Sequence, residues 1–146
     1  MEQIIRNLKI CLANELVFST QAQSFHWNVT GMLFKPLHEL FGEIYEGSYS
    51  SIDKLAEYIR IEGAMAPCCL ADMYKNKTVN EVLYVPGTAK EMLLALMNMN
   101  KDVLFELENL AVAAENLRKF ALVDYVSGLI DQHKKWNWIL DSHLKD

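Results

Sequence analysis

Four long stretches of this chain repeat apolar residues at steps of three and four, and one long interruption divides them into two pairs. In the first stretch Ile5, Leu8, Leu12 and Leu16 lead through Ser19 and Gln23 to His26 at the period of one helix face, and Thr30-Gly31 closes it. The second opens where Pro36 suits the first turn of a helix, and it runs through Ile61 or Glu62 to a stop at Gly63. Thr88 with Glu91 makes a capping-box pattern ahead of the third, whose stripe is Met92, Leu93, Leu96, Met99, Val103 and Leu107. The fourth starts soon after Asn116 and carries Leu122, Val126, Leu129, Trp136 and Leu140. The interruption, Ala64 to Gly87, is too long for a turn, and Thr78 is placed to cap a short helix over Val79 to Leu83. The pattern predicts an all-α four-helix bundle with one long crossover, between helices two and three.

With 146 residues, 51% of them apolar, the chain suffices for one domain over 1–146 that needs neither disulfides nor a structural metal. A formal charge of -5 argues against general binding to a phosphate backbone, which calls for clustered Lys and Arg. Cys11, Cys68 and Cys69 are odd in number, lack zinc-type spacing and include an adjacent pair unsuited to a relaxed mutual disulfide. A reducing, cytoplasmic setting is the expectation. Met1 to Leu8 contains Glu2 and Arg6 and does not read as a signal peptide, and no run approaches membrane-spanning length.

Into this helical frame the sequence sets His26, His38, Asp53 and Glu57: two imidazoles and two carboxylates, the ligand types of an iron site. No thiolate lies among them, which argues against a closed cysteine-rich zinc site. Asp53 and Glu57 are four apart on one helix face and suit a shared hard cation. His38 lies fifteen residues before Asp53, which on a straight helix is ~22 Å away. Either there are two sites or two subunits share one; antiparallel pairing of the second helices in a two-fold dimer would set His38 of one chain opposite Asp53 and Glu57 of the other. The plainer alternative is a solvated carboxylate face and a histidine capping a helix end.

The run His26-Trp27-x-Val29-x-Gly31, then Phe34, Leu37-His38, Phe41, Tyr45, Asp53, Ala56-Glu57 and Arg60, resembles the ferroxidase segment of the Dps family, the miniature ferritins. The helix lengths and the Asp124-to-Trp138 segment resemble that family as well. The resemblance implies a ferritin-like four-helix bundle with a short extra helix in the crossover. It also implies a homo-dodecamer that oxidises ferrous iron at di-iron sites and stores the product. His26 and His38 would come from one subunit, Asp53 and Glu57 from its dimer mate. Trp27 would be a redox-active ring beside the irons, with packing at the interface as its other role. Asp124 would stand near pores that admit iron, as an acidic pore attracts cations, and Asp131 is left open. Hydrogen peroxide is the oxidant implied, although the sequence does not separate it from oxygen.

One departure from the family pattern matters. Gly42 occupies the position four after His38 where the family commonly has an aspartate, and Glu43 points roughly 100° away from it. One iron is therefore expected to bind tightly through His26, Asp53 and Glu57 and a second more weakly through His38 and solvent. Gly42 and Gly47 are also expected to make the second helix more yielding. The competing reading is a non-catalytic shell that sequesters metal. Direct DNA binding is not expected, since neither end is a basic tail and Lys134-Lys135 reads as a solvated face. His133 and His143 lie outside the motif and are assigned to packing or surface, Cys11 to the core, and Cys68-Cys69 with Met65 to an incidental place in the crossover.

Overall fold

The computed structural model describes residues 2–145. Its helices are α1 (Glu2–Asn28), α2 (Phe34–Ile61), α3 (Leu70–Tyr74), α4 (Ala89–Asn116) and α5 (Phe120–Ser142). Helix α1 packs on both α2 and α4, and α4 on α5, while α2 and α5 touch only lightly. The four long helices thus form the expected bundle, with α3 in the crossover. Among the described residues no helix is long and apolar enough to cross a membrane.

The ends are set by local chemistry. Gly31, at φ +106, turns the chain between α1 and α2. Gly63, at φ +91, closes α2: its N–H donates to the Arg60 carbonyl and that of Ala64 to the Ile59 carbonyl, so two carbonyls of the last turn gain partners. At the start of α4 the Thr88 hydroxyl accepts from the Glu91 N–H at 3.1 Å, as the capping pattern predicts. The Glu91 carboxylate reaches one residue further back than a regular capping box, to the Gly87 N–H at 2.9 Å.

Two expectations fail, for tertiary reasons. The crossover helix is Leu70–Tyr74, and Val79 to Leu83 are not helical. Thr78 caps nothing, because buried Asn14 of α1 claims it: the Asn14 carbonyl oxygen accepts from the Thr78 and Val79 N–H groups at 2.8 and 3.2 Å, and its amide donates to the Thr78 hydroxyl. Gln21 likewise accepts from the Val82 N–H at 2.7 Å. The second correction concerns α1, whose buried face centres on Ile4, Leu8, Cys11, Phe18, Ala22 and Phe25, with Ile5, Leu16 and Gln23 only half-buried at its edge. This helix meets α2, α4 and the crossover, so one stripe does not describe its burial.

Phe25 and Phe41 are fully buried and meet edge to face at 5.9 Å between ring centres. Each contributes on the order of 1.5–3 kcal/mol by leaving water. Their contact fixes the end of α1, which carries His26, against the second turn of α2, which carries His38. Gly47 does not loosen α2, which is one unbroken helix; a Cβ there would stand 2.6 Å from the Trp136 ring, so the glycine is the seat of that nearly buried indole.

Candidate metal centre

His26 ends α1 and His38 begins α2, and the short turn between the helices brings their rings into a parallel stack, 3.8 Å between centres and 13° between planes. The Nδ1 of His26 is 2.5 Å from the His38 carbonyl oxygen, and the Nδ1 of His38 is 2.6 Å from the His26 carbonyl oxygen. A carbonyl only accepts, so both Nδ1 atoms carry hydrogen, and in the neutral ring that tautomer leaves the lone pair on Nε2. Donation of the second ring N–H to a backbone carbonyl is how metal-binding histidines are usually oriented. The His26 carbonyl is one of the last four of α1, which have no partner inside the helix, so the same bond caps that end. Tyr45 lies 5.5 Å from His26 and Phe34 stacks 5.1 Å from His38.

Asp53 and Glu57 lie further along α2, exposed and four apart. Because α2 is continuous, the ~22 Å separation from His38 stands. Among the described residues no three His, Cys, Asp or Glu side chains of one chain converge on a point where a metal ion would sit. The structure therefore brings His26 and His38 together and leaves the Asp53–Glu57 pair apart from them on the same helix.

Trp27 follows His26 at the end of α1 with 65% of its surface exposed. Glu43 is exposed and Gly42 is buried beneath His26. Asp124 and Asp131 are both exposed on α5, Asp124 as the fifth residue of that helix, past its first turn. Lys134, Lys135, Cys68 and Cys69 are exposed, Cys11 is buried, and His143 bonds through Nδ1 to the Ile139 carbonyl of its own helix.

The Ferritin-like domain family matches residues 5–146 of this chain. DNA protection during starvation protein 2 of Bacillus anthracis is 30% identical over 98% of this chain and 97% of its own length. The chain belongs to the Dps family of ferritin-like proteins. In three dimensions a Dps protein from Bacillus brevis matches with a TM-score of 0.92 at 28% identity, covering 99% of this chain and 96% of that one. The Dps protein from Vibrio cholerae, a member of a broad superfamily of ferritin-like diiron-carboxylate proteins, matches with a TM-score of 0.90 at 25% identity, covering 99% of this chain and 90% of that one.

Within this Dps chain the structure also assembles a polar cluster that sequence reasoning missed. At the centre of the bundle Glu15 of α1 and His133 of α5 are both buried, and Glu15 Oε1 faces His133 Nε2 at 2.5 Å, neither atom having another polar partner. Glu15 Oε2 accepts from the Ser48 and Ser51 hydroxyls of α2 at 2.8 and 2.9 Å. Asn100 of α4 donates to the His133 carbonyl and accepts from His133 Nδ1 at 2.7 Å, which places a hydrogen on Nδ1. Packing for His133 is thus borne out, but as half of a buried carboxyl–imidazole pair. The available signal was a polar residue interrupting the apolar face of each long helix. Tyr125, half-buried beside the cluster, has its phenol pushed up to about 12 by burial and then by the Glu15 charge.

This cluster bears on where metal binds. Ferritin-like bundles that hold two metals in their interior use inward carboxylates from all four helices. Here the inward polar set has a single carboxylate, already engaged by two hydroxyls and an imidazole. Asp53 and Glu57 make no ion pair among the described residues.

Proposed function

We propose that this chain is the subunit of a ferroxidase and iron-storage cage, a homo-dodecamer whose metal sites form between two-fold related copies. The observation that carries this reading is the split of one ligand set into halves. His26 and His38 are locked through their Nδ1 atoms at one end of α2, and Asp53 and Glu57 stand some turns away on the same straight helix. An antiparallel partner supplies the missing half to each chain and makes two equivalent sites per pair. Ferrous iron is the substrate, held by imidazole and carboxylate. Two ferrous ions each give one electron to hydrogen peroxide, which takes up two protons and leaves as two waters. Exposed Trp27, next to His26, is a redox-active ring beside the site that also packs at the interface, and Asp124 lines the entry path for cations. The ferric product is stored inside, direct DNA binding is not part of the activity, and the cage works in the cytoplasm.

The test is stopped-flow absorbance of ferrous-loaded protein mixed with peroxide or with oxygen. Ferric formation is expected to be faster with peroxide, and faster than iron alone by at least about a hundredfold, the lower range of acid–base and positioning effects. A rate equal to that of protein-free iron would leave the non-catalytic, sequestering shell.

A further inference from the structure

Gly42 reads in the sequence as a lost carboxylate, but in the fold its missing side chain is occupied space. A Cβ built at Gly42 would lie 3.0 Å from His26 Nδ1 and 3.1 Å from His26 Cε1, and the third nearest atom, at 4.0 Å, is again His26 Cγ. Everything that approaches this position is one imidazole. Helix geometry explains why. Each Cβ in an α-helix tilts toward the N-terminus, so a side chain at position 42 covers the turn that begins at His38. That turn exposes the His38 carbonyl, the group to which His26 Nδ1 donates.

We infer that Gly42 is a positioning residue for the candidate metal site: with no Cβ there, the His26 ring lies flat on α2, reaches the His38 carbonyl and stacks on the His38 ring. The departure from the family pattern and the reciprocal histidine bonds are then one feature. A side chain at position 42, a carboxylate included, requires the His26 ring to move by a few tenths of an ångström out of the place where the His38 carbonyl and the His38 ring hold it. Putting back the aspartate therefore weakens the site in this chain, although it adds a potential ligand.

The structural half of this inference is tested without metal. Gly42→Ala is expected to lower the melting temperature when His26 is present and to raise it in a His26→Ala background, where the added Cβ has no close neighbour and the better helix former wins. Gly128→Ala, at an exposed helical glycine with nothing within 4 Å, is the control that raises it in both. An equal rise from Gly42→Ala in both backgrounds would overturn the inference.

The metal half rests on the proposed site and uses anaerobic Co(II) as the probe, read by calorimetry and by the visible absorption that reports its coordination. Both Gly42→Ala and Gly42→Asp are expected to bind Co(II) about tenfold or more weakly than the unaltered chain, with an altered spectrum, the size of effect seen when a histidine loses its orienting partner. Gly42→Asp binding as tightly as the unaltered chain, or more tightly, would refute the positioning role. The two readings fail separately. Co(II) binding that survives His26→Ala contradicts the site itself, whereas binding lost in His26→Ala but kept in Gly42→Ala contradicts only the role of Gly42.

Discussion

Asp53→Ala is expected to slow ferrous oxidation by more than about a hundredfold while the chain still folds. Loss of a partner that merely orients a ligand costs 10–100-fold in affinity or activity, and loss of a ligand exceeds it. Asp53 is exposed, and among the described residues it makes no ion pair, so its removal takes nothing from the bundle core. Stopped-flow absorbance measures the rate, and circular dichroism with size-exclusion chromatography reports fold and assembly. Oxidation that persists at the unaltered rate in an intact Asp53→Ala cage would remove Asp53 from the site.

The second large effect lies in the bundle centre. Glu15→Ala leaves His133 facing an empty space and strips the Ser48 and Ser51 hydroxyls of their shared acceptor. Leaving buried polar groups without their partner costs about 1–3 kcal/mol each, because the surviving groups stay buried and unsatisfied. Replacing both partners by apolar residues of similar size, as in Glu15→Met with His133→Leu, is expected to recover much of that loss. Urea unfolding at fixed protein concentration measures both variants, since assembly couples stability to concentration. A cost below about 1 kcal/mol for Glu15→Ala would mean that the Glu15 cluster adds little to the fold.

How far the sequence could be read depended on whether the deciding contact was local. The four long helices and their stops were legible because periodicity, Thr88, Gly31 and Gly63 act within a turn or two. The crossover was not: Thr78 has the local look of a cap, but Asn14, on a helix far away in sequence, takes its backbone and hydroxyl. That Asp53 and Glu57 share a helix face far from His38 was legible as a spacing, since it follows from the length of one helix. The ring stack and its tautomer were not, because they depend on the turn that folds α1 onto α2. Glu15 carried a signal that single-residue habits overlook: a charge inside the run Leu8, Cys11, Phe18, Ala22, matched by Ser48, Asn100 and His133 on the other helices. Glycines were the hardest to read, since Gly42 and Gly47 look like loss or flexibility and are filled by His26 and Trp136.

The central claim is that one metal site draws on two copies of the chain, and subunit complementation tests it most directly. A chain carrying His26→Ala and one carrying Asp53→Ala are each inactive, and the two are mixed by co-refolding in equal amounts. In a mixed pair, one of the two sites has both damaged halves and the other has both intact halves. Random pairing makes half of the pairs mixed, so about a quarter of the unaltered rate of ferrous oxidation is expected to return. A mixture as inactive as its two components would contradict the shared site.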